Sequence, residues 1–245
     1  MINNDYSAYP EYKQQTINWL SPDSEELFDE HMSKDSIRKK LKELGWTKDS
    51  ITYKFNDYGF RSDDFDDTGD SIVFLGCSFT LGIGVPWENT FSKIVSNNLK
   101  LKCFNLGVSG GSMDSCFRFS FYWLEKLKPK IVVLLKPDMY RKEIKTNRRV
   151  GQYIYNNILP NIDRKGFKRY EVFYKDWILE DQNAKLSTEK NLLAIKYLSD
   201  KINSKLINLY HTIDFRPDAR DLMHGGIDYH AAQAKYTLER IGNYK

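Results

Sequence analysis

A short apolar run that ends at a glycine constrains this chain more than any other stretch. The four residues Ile72 to Leu75 are all apolar, Gly76 ends the run, and the chain then turns through Cys77 and Ser78 into a glycine-containing loop. A run of this length bounded by glycine is typical of a buried strand. Open α/β sheets bind ligands at the carboxyl ends of parallel strands, so Ser78 is a candidate nucleophile. A serine at this place is also a common turn-former, and the other parts of a site must come from elsewhere in the chain.

Strand and helix patterns alternate from residue 71 to the end of the chain. The run Ile131–Leu135 is apolar at every position, as a strand covered on both faces should be. The pattern therefore predicts an α/β domain with a mostly parallel sheet and helices on both sides. The predicted strands are 71–76, 101–106, 131–135 and 206–210, and the predicted helices are 90–100, 113–127, one capped by Ser187 or Thr188, and one containing 231–241.

The first 69 residues read differently from the rest. Ser21-Pro22 resembles a helix start, a second helix is predicted over 36–44 with Gly45 as its stop, and 51–55 alternate like a short strand. We expect an N-terminal cap over residues 1–69, helical and extended, packed on a domain at 70–245. Closing the cleft is one hypothesis for its role. Residues 137–186 are hard to assign and are expected to shape a substrate pocket.

Composition excludes several classes of function. Lys plus Arg total 37 against 33 Asp plus Glu, a net charge of +4 that is too balanced to favour nucleic acid. The richest basic run, 141–149, fits a solvated face better than an anion or nucleic-acid site. The three cysteines show no metal-binding spacing, so we expect no metal and no cofactor. No signal peptide or membrane span is visible, which predicts a cytoplasmic protein without membrane contact.

Three loops that follow strands carry candidate chemistry. The first holds Ser78, the second runs from Asn105 to Gly111, and the third contains Asp221-Leu-Met-His224. A serine needs a base to accept its proton, and the base needs an acceptor on its other nitrogen. The Asp221–His224 spacing lets one carboxylate reach the imidazole within a turn, whereas Asp228 and His230 are less naturally paired. His230, near a helix start, is expected to face solvent.

Several of these stretches resemble the blocks of the SGNH/GDSL hydrolases. Gly76-Cys-Ser-Phe-Thr-Leu-Gly82 is similar to the first block, with Cys77 where Asp is usual, and Asn105-Leu-Gly-Val-Ser-Gly110 is similar to the second. Asp221-Leu-Met-His224 resembles the last block, and Tyr58-Gly-Phe-Arg61 resembles a stretch found upstream in some of these enzymes. The blocks occur in family order over most of the chain.

The resemblance implies a three-layer α/β/α sandwich with a mostly parallel, flavodoxin-like sheet. It also implies a serine ester hydrolase acting on a small-molecule or glycan ester, with release of a small acyl group such as acetyl. Ser78 would be the nucleophile, His224 the base and Asp221 its orienting acid. The backbone amides of Ser78 and Gly110 would line the oxyanion hole. Four further residues would bind substrate: Asn105, Gly107, Lys136 and Arg141.

One position departs from the family pattern. The third block usually supplies an Asn to the oxyanion hole, and Pro137 stands about where that Asn would be. Loss of one such donor typically costs about a hundredfold or more in rate. Lys136, Asp138 or Arg141 are candidate substitutes. Two alternatives therefore stay open, a weak or inactive glycan-binding module and an acyltransferase with the same triad. A further alternative is that Cys77 is the nucleophile. We expect instead that its thiol is buried.

Overall fold

The computed structural model describes residues 6–65, 70–149, 152–158, 177, 179–211 and 215–242, with the backbone alone described for 144–149 and 152–158. Within this part of the chain there are eight strands and seven α-helices. The strands are β1 Thr16–Ile17, β2 Tyr53–Lys54, β3 Ser71–Leu75, β4 Lys102–Asn105, β5 Ile131–Leu135, β6 Lys142–Arg149, β7 Gln152–Ile158 and β8 Lys205–Leu209. The helices are α1 Glu25–Ser33, α2 Asp35–Glu43, α3 Ser78–Leu81, α4 Phe91–Leu99, α5 Met113–Leu127, α6 Asp181–Lys201 and α7 Ile227–Ile241.

The central sheet has four parallel strands in the order β4-β3-β5-β8. Because β4 lies on one side of β3 and β5 on the other, the chain reverses its direction of winding at the carboxyl ends of β3 and β5. Ligands bind at such switch points in open α/β sheets. The predicted α/β class and the mostly parallel sheet are confirmed.

Side chains alternate between the two faces of this sheet, and each face packs on a pair of helices. On one face Val73 and Val132 join a cluster with α5 and Ile195 of α6. On the other face Phe74 and Val133 pack with Phe91 of α4 and with α7. Strands β3 and β5 are buried at every position, which is the double coverage that their uninterrupted apolar runs predict.

The N-terminal elements form a third apolar cluster with the loop that follows α3. Leu41, Tyr53 and Phe55 are buried there against Ile83 and Val85. The first helix begins at Glu25, later than the Ser21-Pro22 start predicted for it, because Ser24 is the residue whose hydroxyl caps it by accepting from the Leu27 amide. Strand β2 is short and pairs antiparallel with β1.

The segment 137–186 contains structure that the sequence left unassigned. Strands β6 and β7 pair as an antiparallel hairpin, and residues 159–176 of the segment lie outside the described part. Helix α6 begins at Asp181, capped by the Glu180 side chain, so the predicted start at Ser187 or Thr188 is wrong by about two turns. Strongly polar residues at its beginning hide the start, because the apolar stripe sets in only later.

Candidate active site

Ser78 is the first residue of α3, directly after the loop that ends β3. Cys77 precedes it in extended conformation and Gly82 ends the helix with a φ of 79°. Ser78 is only 5% exposed. A side chain at Gly76 would collide with the Thr80 hydroxyl, whose oxygen would lie 2.1 Å from the added carbon, so the turn that presents Ser78 requires glycine there.

Asp221 and His224 lie in the loop before α7, and the Asp221 carboxylate makes three hydrogen bonds there, two of them with His224. One carboxylate oxygen of Asp221 accepts from the backbone amides of Met223 and His224, at 3.0 and 3.1 Å. The other oxygen lies 2.5 Å from His224 Nδ1. Leu222 adopts a left-handed backbone with a φ of 52°, which an L residue adopts only under constraint. Local backbone geometry therefore holds this carboxylate and imidazole face to face.

The same imidazole reaches the serine across the sheet edge. His224 Nε2 lies 2.8 Å from Ser78 Oγ, and the two residues are 146 positions apart in the chain. A neutral imidazole that donates its Nδ1 hydrogen to Asp221 has an acceptor at Nε2, so Ser78 can donate its hydroxyl hydrogen to it. The structure thus brings together all three residues singled out as a triad: Ser78, Asp221 and His224.

The second loop lies directly against the turn that carries Ser78. A side-chain carbon at Gly111 would be 2.7 Å from the carbonyl oxygen of Gly76, so the two backbones touch. Within the loop, the amide of Val108 donates to Gly76 and the amide of Ser109 donates to the Tyr9 hydroxyl, at 2.7 Å. Gly110, with a φ of 67°, donates no hydrogen bond within the described residues, which leaves its amide available.

Asn105 and Gly107 are placed differently from the substrate-binding role predicted for them. Asn105 is fully buried, where its amide nitrogen donates to the Thr80 carbonyl at 2.7 Å and its oxygen accepts from the Gly107 amide at 2.9 Å. A side-chain carbon at Gly107 would lie 2.5 Å from the Leu81 amide nitrogen. These two residues support α3 from behind, and the prediction that they bind substrate is corrected to a structural role.

A cavity of about 530 Å³ opens beside the serine. Its walls come from the loops after β3, β5 and β8 and from α6. Cys77 and Phe79, which flank Ser78, line it together with Lys136, Pro137 and Arg141. Its other lining residues are Asp138, Met139, Lys185, Thr188, Glu189, Tyr210 and His211. Pro137, the position that departs from the family pattern, is therefore part of a pocket wall.

Lys136 and Arg141 differ in how they are held. Lys136 donates to the Tyr210 hydroxyl at 2.9 Å and lies over the same ring. Arg141 has two guanidinium nitrogens, Nε and Nη1, that are buried and have no hydrogen-bond partner in the described part of the chain. The expectation of a solvated face for the run that begins at Arg141 is wrong at its first two residues, because Arg141 lines the cavity and Lys142 is buried.

Cys77 forms a second chain of polar contacts beside the serine. Burial raises the pKa of the Cys77 thiol, but a hydrogen bond with His211 and the nearby charge of Arg141 outweigh it and lower the pKa to about 7. His211 Nδ1 in turn lies 2.6 Å from the Tyr229 hydroxyl. Phe79 packs edge-on against the imidazoles of both His211 and His224, which separates the two chains of contacts.

Two buried arginines support the loops of the site, and sequence reasoning assigned a role to neither. Arg61 donates to the carbonyl oxygens of Gly82 and Val85, at 2.5 and 2.9 Å, in the loop after α3. Arg220, next to Asp221, forms an ion pair with Asp23. The sequence held a signal for each of them. Arg61 ends the Tyr58–Arg61 motif, and Arg220 is a cation directly before the candidate acid Asp221.

His230 is not a solvent-facing residue, contrary to the sequence prediction. It is 1% exposed and its Nδ1 accepts from the Phe91 amide at 3.1 Å. Burial, together with the charge of Arg61, lowers the pKa of His230 to about 3, so it stays neutral at ordinary pH. It is a structural acceptor that fixes the start of α4 against α7.

No group of three or more His, Cys, Asp or Glu side chains in the described part of the chain is arranged to hold a metal ion. None of the helices described is long and apolar enough to cross a membrane.

Comparison with solved structures finds proteins of low sequence identity to this chain, among them these three. The chain is similar to a lipolytic protein of the G-D-S-L family from Desulfitobacterium hafniense, at 14% identity and a TM-score of 0.35, over 70% of this chain and 74% of that chain. It is similar to TesA at 13% identity and a TM-score of 0.37, over 71% of this chain and 83% of that one. It is also similar to a carbohydrate esterase, described as having divergent catalytic and non-catalytic binding functions, at 11% identity and a TM-score of 0.38, over 74% and 70% of the two chains. No protein-family model and no curated protein matches the sequence.

Proposed function

We propose that this chain is a serine-dependent ester hydrolase of the SGNH/GDSL type that removes a small acyl group, such as acetyl, from a carbohydrate or another small ester. The observation that carries the proposal is the unbroken series of contacts from Ser78 Oγ through His224 to Asp221, at 2.8 and 2.5 Å. Three residues from two distant loops meet at the end of β3 in the order that serine activation requires.

In the proposed reaction Ser78 Oγ attacks the ester carbonyl carbon while His224 Nε2 accepts its proton. Asp221 accepts a hydrogen bond from Nδ1–H and stabilises the imidazolium that forms. His224 then gives the proton to the alcohol oxygen as the carbon–oxygen bond breaks, which leaves an acyl group on Ser78. Water, deprotonated by the same imidazole, attacks this acyl group and releases the acid, and Ser78 recovers its hydrogen.

The negative oxygen of each tetrahedral intermediate needs donors in fixed positions. We assign this role to the backbone amides of Ser78 and Gly110, which belong to two loops in direct contact. The amide of Gly110 is supported on both sides, since its neighbour Ser109 donates to Tyr9 and the amide of Gly111 donates to Val108. A third donor in place of the family's usual Asn is not required by this assignment, so Pro137 lowers the rate without removing the mechanism.

The decisive experiment is labelling with a fluorophosphonate, which reacts with an activated serine whatever the natural substrate. We expect Ser78 to be labelled in the wild-type chain and labelling to disappear in Ser78→Ala and in His224→Ala. Chromogenic acetyl and butyryl esters, assayed on the same three proteins, test turnover. Activity that survives Ser78→Ala would contradict the assignment of the nucleophile.

The same proteins distinguish the two rivals. A chain that binds glycans but is neither labelled nor active would be a binding module, as the Pro137 departure suggests. An acyltransferase would be labelled and would release its acyl group faster when a sugar alcohol is added than in water alone. The hydrolase proposal expects the rate of acyl release to be independent of the added alcohol.

A further inference from the structure

The cavity beside Ser78 contains two polar side chains that the protein itself does not satisfy. Arg141 follows β5, and its Nε and Nη1 atoms are buried without a partner among the described residues. Thr188 lies on α6, is 9% exposed, and its buried hydroxyl likewise has no partner there. Both residues line the same cavity although they come from different elements. Buried polar groups are nearly always hydrogen-bonded, so two such groups on one cavity indicate a missing ligand.

Two other cations near Arg141 have hydrogen-bond partners within the described part of the protein, unlike the buried nitrogens of Arg141. Arg118 forms a two-pronged pair with Glu143, with both nitrogen–oxygen distances at 2.8 Å. Lys142 donates to the Ser187 hydroxyl at 2.5 Å. The fold therefore supplies partners to the other partly buried cations of this region, and it leaves the guanidinium that faces the cavity without one.

The side chains that line the cavity favour an anionic ligand. A guanidinium offers a planar fork of donors that matches the oxygens of a carboxylate, phosphate or sulfate. The hydroxyl of Thr188 can donate one more hydrogen bond to the same group. The lining also carries the cations Lys136 and Lys185 and the carboxylates Asp138 and Glu189. Because Lys185 and both carboxylates are exposed, the buried nitrogens of Arg141 set the preference for an anion.

The position of the cavity ties that ligand to the reacting ester. Cys77 and Phe79 flank Ser78 in sequence and line the cavity, and Phe79 also packs on the imidazole of His224, so the cavity lies next to the candidate serine although Ser78 itself is not part of its wall. We infer that this cavity binds an anionic group of the ester substrate, held by the guanidinium of Arg141 and the hydroxyl of Thr188. The inference rests on the proposed function, because it names the substrate class of the same site. The anion can belong to the acyl part or to the alcohol part of the ester.

Matched pairs of esters test the inference and distinguish the two sources. On the acyl side, 4-nitrophenyl hemisuccinate is compared with 4-nitrophenyl acetate. On the alcohol side, 4-acetoxybenzoate is compared with its neutral methyl ester. We expect Arg141→Gln to lower kcat/KM for the preferred anionic ester by about tenfold to a hundredfold, the usual effect of losing a hydrogen bond to a charged group. The neutral ester of that pair should change by less than about threefold, which is within the effect of an ordinary neutral contact.

The ratio of the two kcat/KM values is the readout, because a loss of folded protein lowers both rates equally and leaves the ratio unchanged. Arg141→Lys, which keeps the charge but loses the fork, should give an intermediate ratio. Thr188→Val should lower the ratio less than Arg141→Gln. The matched control is Arg240→Gln, which removes the same charge from the exposed far end of α7 and should leave the ratio unchanged.

Two results would overturn the inference. An equal loss on the anionic and neutral esters, in an Arg141→Gln variant that remains folded, would mean that Arg141 acts at the reacting carbonyl. No loss on either ester in Arg141→Gln would mean that the cavity does not bind the anion.

A binding measurement separates this inference from the proposed function. Succinate and inorganic phosphate are titrated by calorimetry into Ser78→Ala, which needs no turnover, and into Ser78→Ala combined with Arg141→Gln. Binding that is lost with Arg141 supports the anion site even if the chain hydrolyses no ester. Ester hydrolysis without any Arg141-dependent binding or discrimination supports the enzyme and refutes the anion site.

Discussion

Arg220 and Asp23 form a fully buried ion pair directly beside the candidate acid Asp221. Arg220 Nη2 lies 2.6 Å from one carboxylate oxygen of Asp23 and Nε lies 3.0 Å from the other, with exposures of 0% and 1% for the two side chains. The Asp23 oxygen that contacts Nη2 also accepts from the Tyr53 hydroxyl at 2.5 Å, and that hydroxyl accepts from the amide of Gly84. The loop that carries Asp221 and His224 is therefore anchored on the N-terminal region.

Replacing Asp23 by Ala should destabilise the whole chain. The change leaves the Arg220 guanidinium buried and unpaired, which typically costs about 3–5 kcal/mol. For a chain of this size that corresponds to a fall in Tm of about 6–20 °C, measurable by thermal denaturation. Asp35→Ala is the control, because its pair with Arg38 is exposed and its loss should leave Tm nearly unchanged. Equal effects of the two substitutions would contradict the importance of burial.

Asp221→Asn should lower kcat for a chromogenic ester by about three to four orders of magnitude and change KM little. An amide at this position no longer favours the Nδ1 tautomer of His224, so Nε2 loses its capacity to accept the Ser78 proton. Steady-state kinetics provides the measurement. Retention of more than a tenth of wild-type kcat would show that the imidazole is oriented by something other than Asp221.

Gly84→Ala should reduce activity through contact with the acid-bearing loop. A side-chain carbon there would lie 2.8 Å from Ala219 Cβ and 3.3 Å from Asp221 Oδ1. A displacement of about 1 Å of a catalytic group can cost about a hundredfold in rate. Gly45→Ala separates this contact from backbone strain, since Gly45 has a φ of 75° against 74° for Gly84 but nothing within 4 Å of an added carbon. Its activity should remain close to wild type, and a comparable loss in both variants would refute the contact argument.

Cys77 should be alkylated at lower pH than the other two cysteines. Its pKa is lowered to about 7, whereas burial raises the pKa of Cys103 to about 12 and that of Cys116 well above its ordinary value. Since the thiolate is the reactive form, labelling by iodoacetamide should rise with a midpoint near pH 7 at Cys77 alone, followed by peptide mass spectrometry. His211→Asn should move that midpoint upward. Labelling of Cys103 before Cys77 would contradict the prediction.

His230 should make the fold sensitive to acid. The folded pKa of about 3 lies below the ordinary value of 6.5, so the unfolded chain binds a proton that the folded chain does not between these limits. Stability from this residue is therefore complete above about pH 6.5 and is lost as the pH falls toward 3, by about 2 kcal/mol at pH 5.

The test compares urea unfolding at pH 7 and pH 5 in wild type and His230→Asn. The Asn oxygen can still accept from the Phe91 amide, but it binds no proton in the unfolded chain. The variant should lose less stability than wild type on going to pH 5. An identical loss in both proteins would place the acid sensitivity elsewhere.

The predicted sheet and most helices agree with the structure because their signals are local. The apolar runs Ile72–Leu75 and Ile131–Leu135 and the stripe of Met113–Leu127 each encode their own element. The predicted start of α6 was wrong because the first turns of this helix carry no apolar stripe. The β6–β7 hairpin was not predicted because its residues are mostly polar.

The contact between Asp221 and His224 followed from their spacing, but the position of Ser78 beside them and the surroundings of the three residues did not. Asp221 and His224 are three positions apart, so their contact could be predicted from local geometry. The Asp23–Arg220 pair and the Arg61 contacts join residues that are distant in sequence, and no pattern within one segment encodes them. The prediction that His230 faces solvent was wrong for the same reason. Its burial depends on contact with Phe91 of α4, which is far upstream in the chain.

The hydrogen bond between Ser78 and His224 spans 146 positions of the chain, and this separation sets the order in which the proposed enzyme is completed during synthesis. The strand that presents Ser78 leaves the ribosome long before the residues around His224, so the nascent chain carries a serine of ordinary reactivity. The proposed capacity to cleave esters requires the loop after β8, because that loop leads to the imidazole that contacts Ser78. A chain that ends anywhere between these residues lacks His224, so we expect it to have no hydrolytic activity.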